Sequence, residues 1–268
     1  MDLQVVLPDE APDMDPGRPA ALARTAEDLG YETVFLPDHV LPPGPYGEVF
    51  GGVYEPLVTL AHLAAVTGRI RLGTSVLIVP LRDPFVLAKQ VATLDRLSRH
   101  RLTLGVGVGW NTEEFAGLGR DFASRGRRTD ETLELLDRLF TTGRGPDGGY
   151  FEPRPEGPVR ILVGGNSAAA LRRAVRWDGH WQSAGLSPAA FGQRVTRLTE
   201  LAGGREIRAT ARMAWTGGRA ELDRAVADAR AYGEAGASAI AVHFGAEGGY
   251  AERMAAFAER LTSSPPGS

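Results

Sequence analysis

Along the chain, short apolar runs alternate with longer stretches in which apolar positions recur every three or four residues. The short runs are LQVVL at 3–7, TVFL at 33–36, IRLGTSV at 70–76, RLTLGVG at 101–107, RILV at 160–163, HWQS at 180–183, EIRATARM at 206–213 and SAIAV at 238–242. Runs of this length and composition read as strands buried on both faces, as in a parallel sheet. Each is followed by a helical pattern, predicted over 18–29, 55–66, 84–98, 125–140, 167–176, 188–202, 219–233 and 250–261. The last shows the spacing most plainly, because Tyr250, Met254, Phe257 and Leu261 fall on one helix face. Eight strand–helix pairs predict an α/β chain folded as a (β/α)8 TIM barrel over residues 1–262, with 263–268 a disordered tail. A doubly wound parallel sheet is the alternative.

In a barrel, active sites gather on the loops that leave the C-terminal ends of the strands. Three such loops stand out: the Gly- and Pro-rich segment 37–56, the glycine run ending in Trp110, and GGNS at 164–167. The glycine run LTLGVGVGW at 102–110 does not fit the dinucleotide fingerprint, whose third glycine falls on Trp110 or Thr112. Gly164, Gly165 and Asn166, with Asn166 or Ser167 as helix N-cap, could instead hold a phosphate on main-chain amides. A plain strand-to-helix turn needs the same residues, so at this level both readings stand.

Composition narrows the chemistry. There is no cysteine, hence no thiol nucleophile or thiolate metal site, and the single lysine, Lys89, lies on the polar side of a helical pattern. Schiff-base and pyridoxal chemistry are therefore disfavoured. A net charge of −3 without a basic block gives no nucleic-acid footprint, and a small-molecule ligand is expected. With no apolar run near the ~20 residues of a membrane span and no leader-like N-terminus, the expectation is a cytoplasmic protein without a membrane partner.

Among the histidines, His62, His100 and His180 read as core or bottom-face residues, whereas His39 and His243 follow strand ends. Histidine changes charge near neutrality, and His39, beside Asp38 at the start of the long loop, is the first candidate for acid–base work. His243 reads equally well as a packed residue or a ligand contact. Glu113 and Glu114 read as the charged first turn of a short helix, and Tyr46, Phe50 and Tyr54 as loop aromatics that pack locally or touch a substrate. A metal-dependent amidohydrolase would place His-x-His after the first strand, where this chain has LPDE; no metal is expected.

Four stretches, VFLPDHV at 34–40, IRLGTSVLIVPLRDPFVLAKQVATLDRLS at 70–98, RLTLGVGVGWNTEEF at 101–115 and PVRILVGGNSAAALRRAVRWDGHW at 158–181, resemble the luciferase-like barrel monooxygenases and their deazaflavin F420-dependent relatives. The resemblance implies a reduced flavin or deazaflavin at the strand ends. It places a non-proline cis peptide at Ser75-Val76 against the ring, Gly107, Gly109 and Trp110 beside it, and the phosphate on Gly164, Gly165, Asn166 and Ser167. It further implies hydride transfer with F420, with His39 and Asp38 catalytic. The alternatives are a reduced-FMN monooxygenase using O2, and a cofactor-binding protein without turnover. Sugar-phosphate dehydrogenases of that family carry glutamate where this chain has Trp110, so their substrate is not implied. Dimerisation is common in the family, and a homodimer is compatible with the resemblance.

Overall fold

The computed structural model describes residues 1–47, 49–177, 179–246 and 248–263; most of the predicted tail thus lies outside the described residues. Its strands are β1 (Asp2–Val6), β2 (Thr33–Leu36), β3 (Arg71–Thr74), β4 (Leu77–Ile78), β5 (Leu102–Gly107), β6 (Arg160–Gly164), β7 (His180–Gln182), β8 (Arg208–Ala214) and β9 (Ala239–His243). The helices are α1 (Arg18–Asp28), α2 (Pro56–Val66), α3 (Pro84–Leu97), α4 (Thr112–Gly117), α5 (Arg125–Thr142), α6 (Ala168–Arg176), α7 (Pro188–Ala202), α8 (Leu222–Glu234) and α9 (Tyr250–Thr262). The sheet order is β3-β2-β1-β9-β8-β7-β6-β5-β4, closed by pairing of β3 with β5, which is the (β/α)8 barrel with β3 and β4 sharing one barrel position. Closure removes the sheet edges that the doubly wound alternative would keep.

Two compact units make up the chain. The first comprises residues 1–8, 15–35 and 162–268. Its strands are parallel and in register, with Val5 opposite Val34 and Val242, and Trp181 opposite Val163 and Ala209. Val6, Phe35, Leu162 and Ala241 form one buried cluster. Tyr250, Met254 and Phe257 of α9 are fully buried, as their helical spacing predicts. Tyr250 Oη donates to Val6 O, and Tyr31 Oη donates to Met254 O at 2.9 Å, so the phenols that this face buries find main-chain acceptors.

The second unit comprises residues 9–14 and 36–161. Here the predicted strand 70–76 is broken. Gly73 pairs with Thr103 and Leu77 with Val106, so four steps on one side match three on the other, a bulge of one residue at Ser75–Val76. The peptide joining those two residues is cis, as the resemblance implied. Helix α3 begins on an Asp83 cap that accepts from the Phe85 and Val86 amides, with Pro84 at its first position. Lys89 is exposed on α3, over the Phe151 ring. Ile78, Leu81 and Phe115 form a cluster flanked by Leu118 and Phe122.

Among the described residues no helix is long and apolar enough to cross a membrane. The packing around the bulge explains two glycines. A Cβ on Gly107 would land on Val76 Cγ2, and one on Gly109, whose φ is +78°, would lie 2.7 Å from Phe115 Cε2 and 2.8 Å from Ile78 Cγ2. Gly107→Ala is expected to cost about 1–3 kcal/mol by overpacking. At about 2–4 °C per kcal/mol for a chain of this size, thermal unfolding will show the loss. Gly68→Ala, where a Cβ meets open space, is the control and should melt like the parent. Coincident melting of the Gly107 variant and the parent would refute this account.

Candidate active site

The segment leaving β2 carries Pro37, Asp38 and His39. Asp38 is 4% exposed, and both its oxygens are occupied: Oδ2 accepts from the Ile78 amide at 2.8 Å and Oδ1 from Arg82 Nη2 at 2.7 Å. Burial pushes the Asp38 carboxyl up, opposed by the Arg82 guanidinium and the Ile78 amide. Arg82 also pairs with Glu55 Oε1 at 2.7 Å, while Glu55 Oε2 caps α2 at the Val58 amide. One arginine therefore ties the end of β2 to the start of α2.

His39 turns elsewhere. Its Nδ1 lies 2.8 Å from Glu114 Oε2, and the other oxygen of that carboxylate accepts from the amides of Val40 and Leu41, at 2.8 and 3.1 Å. The hydrogen-bond partner of His39 is thus Glu114 and not its chain neighbour Asp38. Consecutive residues leaving a strand direct their side chains to opposite sides, so chain neighbours rarely share a task. Glu114 is 1% exposed. Burial acts to raise its carboxyl, but the bonds from His39, Val40 and Leu41 prevail and hold it below the usual carboxylate range. An ionised Glu114 accepts from Nδ1–H, which leaves Nε2 of His39 as the atom able to take or give a proton.

Helix α4 places Glu114. Asn111 caps it through a 2.9 Å bond from the Glu114 amide, and Phe115 anchors it in the apolar cluster. The expected short charged turn is present and Glu113 is exposed, but Glu114 points back across 75 residues of sequence. Sequence reasoning missed this role, as it missed Arg82 and Glu55. The available signal was the spacing of an acid after a strand-end Asn cap, too common to be decisive.

Two aromatic rings meet beside His39. Phe50 stands edge-on to its imidazole at 5.1 Å, Trp110 does so at 6.0 Å, and Phe50 stacks on Trp110 at 5.6 Å with 3° between planes. Phe50 is buried and Trp110 is 59% exposed, so the indole offers a free apolar surface next to the histidine. Tyr46 is half-buried; burial, with Glu114, Asp38 and Asp9 nearby, pushes its phenol up. Around Gly107 and Gly109, expected beside a flat ring, the space a Cβ would take is filled by Val76, Phe115 and Ile78.

In the other unit, β6 ends at Gly164 and the turn enters α6 with Ser167 as N-cap, its hydroxyl accepting from Ala170 N at 3.2 Å. Gly165 has φ +113°, a region that favours glycine. Its amide donates to Gln182 O at 3.2 Å, and the Asn166 side chain exchanges bonds with Ala184 at 2.7 and 3.3 Å. The donors left at this helix N-terminus are therefore the amides of Ser167, Ala168 and Ala169, rather than those of Gly165 and Ala170, which Gln182 O and Ser167 Oγ take. Of the remaining histidines, His62 is exposed on α2, against expectation. His100 pairs with Asp95 at 3.0 Å, His180 is half-buried in β7, and His243 stands edge-on to Tyr250.

The chain resembles proteins already described. An uncharacterised protein of Mycobacterium tuberculosis is 38% identical over 212 residues, 68% of this chain and 71% of that one. The F420-dependent glucose-6-phosphate dehydrogenase of Nakamurella multipartita is 35% identical over 188 residues, 66% of this chain and 55% of that one. In fold, the coenzyme F420 dependent tetrahydromethanopterin reductase of Methanopyrus kandleri superposes with a TM-score of 0.78 at 16% identity, over 97% of this chain and 98% of the other. The model of the luciferase-like monooxygenases matches residues 1–263. On that match the chain belongs to the luciferase-like monooxygenase family.

Proposed function

We propose that this protein is an F420-dependent oxidoreductase acting on a small organic substrate, with His39 carrying the proton that accompanies hydride transfer. The observation that carries the reading is the His39–Glu114 pair, a histidine fixed at Nδ1 by a buried, ionised carboxylate. Such an arrangement selects one tautomer and keeps Nε2 for proton exchange. The 35% identical Nakamurella relative, whose name gives F420 as its cofactor, supports the choice of deazaflavin.

Two features fit a phosphate-bearing tricyclic cofactor. The amides of Ser167, Ala168 and Ala169 at the start of α6 suit an anion, aided by the helix dipole by about 0.3–1 kcal/mol, or about 2 where partly buried. The bulge at Ser75–Val76 brings Val76 against Gly107 at the strand end, a narrow apolar shelf. We propose Ser75, Val76, Gly107, Gly109 and Trp110 for the ring, and for the phosphate the turn of Gly164, Gly165, Asn166 and Ser167, with the Gly165 amide held by Gln182 O and the contact left to the amides that follow it. When bound, the deazaflavin supplies two-electron hydride chemistry. Glu114 holds His39, His39 exchanges a proton through Nε2, and Asp38 with Arg82 holds the segment that carries His39. Trp110 and Phe50 exclude water from one side of the imidazole. Since Trp110 stands where a glutamate would serve a sugar phosphate, the substrate is expected to be less polar.

The family's monooxygenase description favours a second reading, in which the same residues serve reduced FMN and O2. Fluorescence titration of the purified protein separates the two. Tighter binding of F420 is expected, and an FMN affinity higher by more than about tenfold, or about 1.4 kcal/mol, would replace the first reading with the second.

His39→Ala is expected to lower kcat by about 10²–10⁴ while cofactor affinity stays as in the parent. Glu114→Gln should shift the pH profile of kcat, because the amide cannot stabilise a protonated imidazole. Turnover unchanged in His39→Ala would instead favour a protein that binds a cofactor without using it.

A further inference from the structure

Asp9 follows β1 and is 1% exposed, yet it plays no part in the chemistry above. It seats the far end of the long loop. Its carbonyl oxygen accepts from the amides of Gly52 and Val53, at 2.8 and 3.1 Å, and its Oδ1 accepts from the Tyr54 amide at 3.2 Å. Tyr54 Oη then donates to Met14 O at 2.8 Å, so residues 9–14 pin 52–54 at four points. The pinned stretch lies directly against the catalytic segment: a Cβ on Gly52 would meet His39 N at 2.7 Å, and Phe50 packs on the His39 ring.

The second carboxyl oxygen, Oδ2, is buried and has no hydrogen-bond partner. A carboxylate in that position would hold its charge out of water, whereas a neutral carboxyl carries no charge to desolvate. No cation balances it among the groups that act on it. Glu10 lies beside it in the chain, Tyr54 supplies an amide, and Tyr46, itself near Asp38 and Glu114, is close enough to be influenced by it.

We propose that Asp9 is a positioning residue: neutral when the loop is seated, it latches residues 52–54 and through them holds Phe50 beside His39, and its ionisation loosens the latch. In the seated state burial outweighs the Tyr54 amide, whose hydrogen bond favours the carboxylate, and with Glu10 adding to it raises the Asp9 carboxyl to about 7 from an ordinary 3.8. An acid raised on closure holds its proton more tightly closed than open. The closed state is therefore favoured most below the ordinary value, and the advantage is lost progressively up to about pH 7. In giving Phe50 a role beside a proton-carrying His39, the proposal rests on the proposed function; the latch itself does not.

Amide hydrogen exchange read by mass spectrometry on peptides covering 50–54 tests it in the full chain without cofactor. After correction for the pH dependence of unprotected exchange, protection should fall by about tenfold or more between about pH 5 and about pH 7. In Asp9→Asn, which keeps the acceptor for Tyr54 and cannot ionise, protection should stay flat. His39→Asn should keep the parent profile, separating the latch from titration at His39. Flat protection in the parent, or the same fall in Asp9→Asn, would overturn the proposal. Should Asp9→Asn fail to fold, the parent and His39→Asn profiles still decide, since a fall that disappears with His39 overturns it as well. Failure of F420 or FMN turnover leaves this readout untouched, so the two readings fail separately.

Discussion

The carboxylate of Glu114 is the constraint on which the candidate site depends. It accepts three hydrogen bonds from the 39–41 segment, one from a side chain and two from the main chain. Removing such an acceptor from a buried position leaves each donor unmet, at about 1–3 kcal/mol apiece. The loop after β2 and the helix after β5 thus hold each other, and the orientation of His39 follows from that closure.

Around this pair, charge is arranged so that each buried acid has a different fate. Glu114 is kept ionised by donors, Asp38 is matched by Arg82, and the Asp9 carboxyl has, among the described residues, neither a cation nor a donor on Oδ2. Desolvation acts to raise all three; the number and kind of partners decide the outcome. The same residue class therefore serves as orienter, as anchor and as proton-sensitive latch within one compact unit. Position along the chain would not have told these roles apart.

How far the sequence speaks follows from the range of each interaction. Strand and helix boundaries were legible within one to three residues because they depend on local periodicity, as in Tyr250, Met254 and Phe257 on α9. The strand expected over 70–76 was not, since the bulge after Thr74 is a matter of register with β5. His39 was legible from its place after a strand. Its partner was not, because the contact spans 75 residues, whereas Asp38 suggested itself by adjacency alone.

The glycines show the same limit from the other side. Glycine at alternate positions of a strand states that no Cβ fits, but not what excludes it. For Gly107 it is Val76 and for Gly109 it is Phe115 with Ile78, all side chains of this protein. The bulge lengthens one strand by a residue, Val76 is turned onto β5, and β5 must then lack a side chain where Val76 arrives. A pattern that reads as room for a ligand is first a record of how β3, β4 and β5 pack. Any ring that rests here meets the shelf that Val76 and its glycine make together.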